Sequence, residues 1–526
     1  MANKKLFGSN RGVTLPATDT RNNAGGKAYA LDAKTALAQF AVTGCFNNTF
    51  YVAADQQLDT VLDLANQVDN LFLAKLAVYA RKQAHMKDMP ALLLALLASR
   101  DQELFKQAFA QVIDNGLMLR NFVQIMRSGV TGRRSLGSLP KRLVQNWINN
   151  SSDRSLLNAS VGNQPSLADV IKMTRPKPAS IQRESFYGYL IGKPVDAKLL
   201  PDCVQALEAF KQSSGNNKDL ALPDVDFRLL TSLPLQAEHW VQIARNAKWQ
   251  MTRMNLNTFA RHGVFGKREM VKLIARRLAD EAQVKNAKAF PYQMMTAYKM
   301  ADAAVPDKVR DALQDAMEVA LGNVPVLARN VVVCPDTSGS MGQSVTGYRA
   351  GATSVVRCVD VAALISAAIL ATHPDALALP FDTQVHGVRL NRRDTVMTNA
   401  SRLAALGGGG TDCSAPLRWI NQHRTAVDVV IMVSDNESWF DPNDKRYSWQ
   451  AQRATAVMRE WSQIKQRNPQ AKLVCIDLVP NSHTQACNSE DVLNVGGFSD
   501  AVFTVMEQFI QGNKQQWLAT IETQTL

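Results

Sequence analysis

Three short segments in the later part of the chain carry oxygen-bearing side chains at spacings that suit a divalent cation. They are Asp336-x-Ser338-x-Ser340, Thr411 after a run of four glycines, and Asp435. Carboxylates and hydroxyls are hard donors, which suit Mg²⁺ with several waters retained. Serines two and four residues beyond an aspartate can turn their hydroxyls to one point where the chain leaves a strand in a tight loop. These residues therefore predict a cation site, with Mg²⁺ as the expected ion.

The elements around these residues explain how they could meet. Apolar runs at 331–333 and 427–433 end just before Asp336 and Asp435, and runs at 376–381 and 472–479 predict two more strands. Helices are predicted at 352–371, 414–423, 451–465 and 501–511. Buried strands alternating with helices indicate a mostly parallel sheet covered on both faces, and ligands bind such sheets at the carboxyl ends of the strands. We therefore predict a doubly wound α/β domain over residues 326–526.

Catalytic chemistries fit this region poorly. Cys413 has no histidine in a recognisable partner motif, and inert buried cysteine is far commoner than catalytic cysteine. The seven histidines lack zinc spacing, and the glycine run lacks the Lys-Ser/Thr that completes a P-loop. A two-metal nuclease would need clustered carboxylates instead of hydroxyls. The chain is expected not to be an enzyme.

The pattern before residue 326 is helical almost throughout. Apolar residues recur at helical spacing over 71–84, and Pro90 begins a second helix. Further helices are predicted at 101–114, 119–128, 139–149, 238–247, 268–282 and 292–300. Helices paired in series over residues 28–325 suggest a HEAT-type α-solenoid, although no clean repeat period is present. Residues 1–27, rich in Asn, Gly and Lys, are expected to be a loosely ordered segment.

The net charge of +13 over 526 residues is unevenly distributed. Residues 326–526 hold 17 of the 59 basic and 18 of the 46 acidic residues, so the remaining 42 and 28 lie in residues 1–325. An excess of positive charge confined to one half points to a polyanion such as nucleic acid, with a merely solubilising surface as the alternative.

The composition also excludes several classes of protein. No apolar stretch reaches the 18 or more residues of a membrane span, and no secretory signal is found at the N-terminus. Seven cysteines, an odd number thinly scattered, do not make a disulfide framework. The expectation is a cytoplasmic protein with reduced thiols and no membrane partner.

Two windows of the basic half, residues 115–152 and 239–268, contain no acidic residue. Basic side chains pair with phosphates, so the candidate RNA contacts are those of the two windows and of a third cluster between them. They are Arg120, Arg127, Arg133, Arg134, Lys141, Arg142, Lys172, Arg175, Lys177, Arg245, Lys248, Arg253 and Arg261. The interleaved aromatics Phe122, Trp147, Trp240, Trp249 and Phe259 could stack on unpaired bases, but their helical spacing favours the core.

The candidate cation residues resemble the metal-ion-dependent adhesion site of von Willebrand factor A (vWA) domains. The resemblance implies that Ser338 and Ser340 ligate the cation directly, and that Asp336, Thr411 and Asp435 act directly or through water. One coordination position would stay open for water or a partner's carboxylate. The alternative is a degenerate A domain whose loop acids only cap helices.

The chain as a whole, from about residue 28 to about residue 515, resembles the 60-kDa Ro autoantigen family and especially its bacterial members. The segments that carry the resemblance are 169–178 (DVIKMTRPKP), 285–292 (KNAKAFPY), 409–414 (GGTDCS) with Pro416, and 435–437 (DNE). Membership implies a monomeric ring of helical repeats, called the TROVE module, closed by a vWA domain.

The same resemblance implies a role in RNA quality control, processing or decay. Relatives bind small structured Y RNAs on the basic outer surface and admit single-stranded 3′ ends of misfolded RNA to a central hole. In bacterial relatives the Y-like RNA can tether the ring to polynucleotide phosphorylase. Lys172, Arg175 and Lys177 match the outer contact region, with Arg175 where many relatives have histidine. The alternative function is a Mg²⁺-dependent protein-interaction module with the helical half as a docking solenoid.

Overall fold

A computed structural model describes residues 15–44, 46–213, 222–231, 233–287, 291–321, 325, 327–348, 356–441, 453–497, 500–511 and 517–526. Residues 1–14 of the expected loose segment, residues 288–290 of the KNAKAFPY segment, residues 352–355 of one predicted helix and residues 451–452 of another lie outside these ranges. So does residue 326, where the second domain was predicted to begin. None of the described helices has the length and apolar character needed to cross a membrane.

The first half begins with a two-stranded hairpin and continues with eighteen helices in the described ranges. The strands are β1 (Thr20–Arg21) and β2 (Lys27–Ala30). The helices are α1 (Ala33–Thr43), α2 (Ala54–Asn66), α3 (Asn70–Lys82), α4 (Asp88–Arg100), α5 (Gln102–Val112), α6 (Gly116–Ser128), α7 (Ser138–Asn150), α8 (Asp153–Ala159), α9 (Leu167–Thr174), α10 (Ile181–Leu190), α11 (Asp202–Ser213), α12 (Ala237–Asn246), α13 (Trp249–Met254), α14 (Leu256–Arg261), α15 (Arg268–Leu278), α16 (Glu281–Ala287), α17 (Pro291–Met300) and α18 (Asp307–Leu321).

Side-chain caps explain where many of these helices start. Asp69 accepts the Phe72 amide proton (2.8 Å) at the start of α3, and Ser166 and Asp169 form a reciprocal capping box at the start of α9. Many helices pack against their neighbours in the chain, such as α3 on α4 and α17 on α18, and their apolar faces form one continuous core. The predicted helix over 268–282 ends at Leu278, and α16 begins three residues later.

The second half is a five-stranded parallel sheet with helices on both faces. Its strands are β3 (Val331–Pro335), β4 (Leu377–Ala378), β5 (Val429–Ser434), β6 (Lys472–Asp477) and β8 (Val492–Gly496), in the order β4-β3-β5-β6-β8. Its helices are α19 (Cys358–Thr372), α20 (Val396–Ala404), α21 (Ala415–His423), α22 (Ala456–Arg467), α23 (Asp500–Ile510) and α24 (Trp517–Glu522). The two-residue strand β7 (His483–Thr484) lies outside this sheet.

Alternate residues of each strand enter different cores. Val429, Ile431 and Val433 join the core that includes α19 and the helices of the first half, whereas Val430 and Met432 pack with α21 and α22 on the other face. Burial on both faces explains why the strand is apolar throughout. The fold class predicted from the sequence, a helical ring-like domain followed by a doubly wound α/β domain, is confirmed.

The α/β half contacts the start of the helical half. β2 pairs antiparallel with β7, aligning Tyr29 with Thr484, and α1 packs against β8 so closely that a Cβ on Gly496 would lie 1.9 Å from Gln39 Oε1. From residue 15 onward the segment expected to be loose is therefore a docked hairpin. The docking could not be predicted from the sequence, because the residues at the tip of the hairpin are polar and looked solvent-exposed. Asn22 instead donates to the Ser438 carbonyl (2.6 Å).

The α/β half also contacts the end of the helical half. Lys299 Nζ of α17 lies 2.8 Å from the buried Asp360 Oδ1 of α19, and Glu318 of α18 accepts the Val396 amide proton at the start of α20 (2.8 Å). The last helix, α24, returns to the first helices, where Trp517 Nε1 donates to Tyr79 Oη of α3 (3.3 Å). Because one domain holds both ends of the helical array, the chain closes on itself.

Candidate metal centre and basic surface

The two key carboxylates of the candidate metal site follow adjacent parallel strands. Val333 pairs with Ile431 and Pro335 with Val433, so β3 and β5 end side by side. The next residues are Asp336 and, after Ser434, Asp435, and both are fully buried. The amide of Asp336 continues the ladder by donating to the Val433 carbonyl (2.9 Å). Both aspartates therefore lie at the carboxyl edge of the sheet, as the sequence predicted.

The loop after β3 turns two hydroxyls towards each other. Asp336 Oδ1 accepts from the Ser338 amide (2.8 Å), and Asp336 Oδ2 accepts from Ser434 Oγ (2.6 Å), which fixes the carboxylate. Ser338 Oγ and Ser340 Oγ then lie 3.3 Å apart, and both side chains are buried. Two hydroxyl oxygens at this spacing can share one cation.

The glycine run carries the fourth residue to the site by close backbone contact. Gly408 donates to the Thr337 carbonyl (2.8 Å) and Gly339 donates to the Gly409 carbonyl (2.9 Å). Gly407 adopts a left-handed φ of +77°, and a Cβ there would lie 2.3 Å from Thr337 Oγ1. Thr411, at the end of this run, is buried, and its carbonyl accepts from the Trp439 amide (3.2 Å) of the loop that holds Asp435. The three loops are thus joined around one point.

The electrostatics of this point fit a divalent cation. Asp435 Oδ2 is buried and has no hydrogen-bond partner among the residues that the structure describes. Burial, and then the neighbouring Asp336, raise the pKa of Asp435 to about 8, and burial likewise raises the pKa of Asp336. Two buried carboxyls beside two hydroxyls form a site that lacks positive charge. Ser338, Ser340, Asp336, Thr411 and Asp435 would hold the ion, which would supply an electrophilic position for one further oxygen ligand.

The donor set narrows the choice of ion. In the described ranges, no group of three or more His, Cys, Asp or Glu side chains could hold a metal. The candidate site depends instead on hydroxyl oxygens, which favour Mg²⁺ over zinc. Burial raises the pKa of the adjacent Cys413 thiol well above its usual range, so this thiol is a poor nucleophile.

Cation binding at this site is expected to release a proton. With a pKa of about 8, the cation-free Asp435 is protonated at neutral pH, whereas a bound cation requires the carboxylate. Affinity for Mg²⁺ should therefore rise with pH, approaching tenfold per pH unit below about pH 8, and level off above it. Calorimetric titration in buffers of different ionisation enthalpy measures both affinity and proton release. Asp435→Asn lacks both the carboxylate and its proton, so it should show neither Mg²⁺ binding nor proton release. A wild-type affinity for Mg²⁺ that does not change with pH below about pH 8 would contradict the assignment.

The thirteen candidate RNA contacts are not equally accessible. Nine are exposed and two, Arg133 and Lys141, are half-buried. The exposed ones are Arg127, Arg134, Arg142, Lys172, Arg175, Lys177, Arg245, Lys248 and Arg261. Arg245 already forms an ion pair with Glu269 (2.7 Å between Nη2 and Oε1), which weakens its attraction for a phosphate.

Two of the candidates prove to be structural arginines. Arg120 is buried against the backbone of Gly162, and burial lowers its pKa. Arg253 is also buried, and it donates to the Gln293 carbonyl (2.8 Å), which joins α13 to α17. A sequence window without acids does not show which side of a helix each cation occupies, and these two face inward.

Several exposed cations gather where α6, α7 and α9 pack together. Gln145 of α7 donates to the Thr174 carbonyl (2.7 Å) at the end of α9, which brings Arg142 towards Lys172. Asp169 of α9 lies near α6 as well. Its pKa is lowered first by the Ser166 hydrogen bonds and then by the positive charges of Lys172 and of Arg127, which belongs to α6. We call the exposed residues Arg127, Arg134, Arg142, Lys172, Arg175 and Lys177 the basic surface.

The interleaved aromatic residues belong to the core. Phe122, Trp240, Trp249 and Phe259 are buried, and Trp249 Nε1 donates to the Leu278 carbonyl (2.9 Å). Trp147 is half-buried, with its Nε1 donating to the Ile113 carbonyl (3.0 Å). Their helical spacing was the correct guide, and stacking on bases is not their role in this structure.

Fold and site together define a class: a helical-repeat protein closed on itself by a vWA domain. Residues 330–510 match the family model of the Ro60 vWA domain. The chain is similar to the RNA-binding protein RO60 of Deinococcus radiodurans, with 27% identity over 95% of this chain and 96% of that protein. It is also similar to the RNA-binding protein RO60 of Caenorhabditis elegans, with 23% identity over 45% of this chain and 36% of that one.

The fold has a solved counterpart. The crystal structure of the Deinococcus radiodurans Ro (Rsr) protein superposes with a TM-score of 0.61 at 23% identity, covering 91% of this chain and all of that chain. These findings confirm the resemblance to the 60-kDa Ro family that the sequence motifs indicated.

Proposed function

We propose that this chain is an RNA-binding scaffold of the Ro type. The basic surface carries the proposal, because its six exposed cations lie on α6, α7 and α9 and in the loops that follow α6 and α9, and residues 115–152 contain no acidic residue. Such a surface attracts phosphate groups, and contacts between basic side chains and phosphates supply most of the affinity for RNA. The curated relatives named RNA-binding protein support the same function.

The finer proposal concerns the form of the RNA. A small structured, Y-like RNA would lie on the basic surface, and single-stranded 3′ ends of misfolded RNA would enter the hole of the closed ring. The chain would act in RNA quality control, processing or decay, without catalysis of its own, and could deliver RNA to polynucleotide phosphorylase through the Y-like RNA. The vWA domain would hold Mg²⁺.

A binding experiment tests this function directly. A structured RNA with a single-stranded 3′ tail is compared with the same RNA lacking the tail, by electrophoretic mobility shift at several salt concentrations. Six to ten phosphate contacts would cost about 10³- to 10⁵-fold in affinity between about 50 and 200 mM salt. Tail-dependent, salt-sensitive binding is expected. Weak binding that ignores both tail and salt would overturn the proposal.

A second candidate function follows from the metal site alone. A Mg²⁺-dependent protein-interaction module would use the open coordination position for a partner's carboxylate, with the helical half as a docking solenoid. The buried Asp435 Oδ2 supports it, because a bound cation would pair with this oxygen, which has no hydrogen-bond partner in the described part of the chain. Asp336→Ala would then abolish partner binding, whereas in the RNA-binding scaffold the affinity for RNA would persist in that variant.

A further inference from the structure

A short loop of the helical half lies on the segment that follows the metal-binding serines. We call residues 46–52 the clasp loop. Asn47 Nδ2 donates to the Thr346 carbonyl (2.8 Å), the Phe50 amide donates to Gln343 Oε1 (2.7 Å), and the Tyr348 amide donates back to the Asn48 carbonyl (2.7 Å). Three hydrogen bonds therefore cross between the halves within eight residues of Ser340.

Tyr51 extends from this loop to the metal site itself. The pKa of its hydroxyl is affected by the Ser340 side chain and by the carboxylates of Asp435, Glu437 and Asp336, so Tyr51 lies beside the candidate cation ligands. Burial and then Asp435 raise the pKa of Tyr51 to about 12, so the phenol keeps its proton. A residue of the helical half thus contacts a candidate cation ligand of the other half.

The N-terminal hairpin contacts the loop that holds Asp435. Glu437, two residues beyond Asp435, accepts from Asn23 Nδ2 (2.6 Å) and from the Ala24 amide (3.1 Å), and lies 3.2 Å from His483 Nε2. Glu437 is buried, so these bonds are shielded from water. Two of the three loops that carry candidate cation ligands, those of Ser340 and Asp435, are therefore also contacted by the N-terminal part of the chain.

We propose that the metal site is shared between the two halves, with Tyr51 as a positioning residue, and that cation binding tightens the seam between them. A cation on Ser340 Oγ withdraws charge from its hydroxyl, which makes that hydroxyl a stronger donor to the Tyr51 oxygen. The same cation holds the 336–340 and 435–437 loops at fixed positions. Partners that orient metal ligands are worth about 10- to 100-fold in metal affinity. The proposal rests on the cation proposed for this site.

The experiment combines Mg²⁺ titration with hydrogen exchange on the full chain. Calorimetry gives the affinity of the wild type, Tyr51→Phe and Asp435→Asn for Mg²⁺, and mass spectrometry follows exchange of the clasp loop and residues 343–348 with and without the ion. Tyr51→Phe removes only the hydroxyl. Tyr348→Phe is the matched control, because its exposed side chain lies on the same seam and the substitution keeps the backbone amide that is bonded to Asn48.

Mg²⁺ is expected to slow exchange at the Phe50 and Tyr348 amides in the wild type and the control. Tyr51→Phe should bind Mg²⁺ about tenfold more weakly and lose part of this protection, and Asp435→Asn should lose both effects. Wild-type binding of Mg²⁺ with unchanged exchange, or unchanged affinity in Tyr51→Phe, would overturn the shared site and leave the metal site standing. Absence of Mg²⁺ binding to the wild type would overturn both.

Discussion

A variant carrying Arg142→Glu, Lys172→Glu and Lys177→Glu is expected to bind structured RNA about 10²- to 10³-fold more weakly than the wild type. Each side chain is exposed on the basic surface, so reversal replaces attraction to a phosphate with repulsion and leaves the core intact. The slope of log affinity against log salt should also decrease by about one for each phosphate that the protein no longer neutralises. Filter binding at several salt concentrations measures both quantities.

The matched control reverses three exposed cations elsewhere: Lys106→Glu on α5, Lys308→Glu on α18 and Arg393→Glu in the α/β half. The two variants change the net charge equally, so they separate a local surface from a general attraction between opposite charges. The control should lose less than about tenfold in affinity. If both variants lose affinity equally, the basic surface is not the RNA-binding site.

Trp517→Ala is expected to lower the free energy of unfolding by about 3–5 kcal/mol, a large part of the stability of a typical protein. Trp517 is only 2% exposed, and it anchors the last helix to α3, where Tyr79 accepts its indole proton. Lys34, which lies 2.9 Å from Glu522, adds an exposed ion pair of small value at the same junction. Urea denaturation followed by circular dichroism measures the decrease.

Two control variants separate the effect of losing the hydrogen bond and the general effect of a substitution on α3 from the loss of the buried ring. Trp517→Phe keeps an aromatic ring but removes the hydrogen bond to Tyr79, and should cost about 1–2 kcal/mol. Leu71→Ala alters an exposed residue of α3 and should cost less than about 1 kcal/mol. A Trp517→Ala effect no larger than that of Leu71→Ala would mean that the C-terminal helix does not hold the closed structure together.

The positions of the two candidate metal-ligating aspartates were predictable because both residues follow strands that are easily recognised. Five consecutive apolar residues (429–433) precede Ser434 and Asp435, and β5 is buried at every position, so both the strand and the aspartate after it could be located. The strand predicted at 376–381 is shorter than expected. Only Leu377–Ala378 form β4, although Phe381 still donates to the Pro335 carbonyl (3.1 Å). Pro380, within the predicted stretch, has no amide proton and cannot donate to the ladder.

Contacts between distant segments were not predictable. Nothing in the residues around Tyr51 indicates that it lies beside Ser340, because helical spacing and strand alternation are local patterns. The sequence did not predict β8, because Asn494 interrupts the apolar run of this strand. The buried Asn494 side chain accepts a hydrogen bond from Thr484 Oγ1 (2.7 Å). Arg120 and Arg253 were misplaced for a related reason: the distribution of charge along a chain carries no information about burial.

The position of the N-terminal hairpin has a consequence for the time course of synthesis. Thr18 is hydrogen-bonded to a carbonyl 435 residues further along the chain. At roughly 5–20 residues per second, a ribosome needs about 20 to 90 s to make that stretch. Until then β2 has an unpaired edge, of the kind that invites pairing with other chains. The hairpin is therefore among the last elements to dock. During synthesis the nascent protein must avoid aggregation while the edge of β2 is still unpaired.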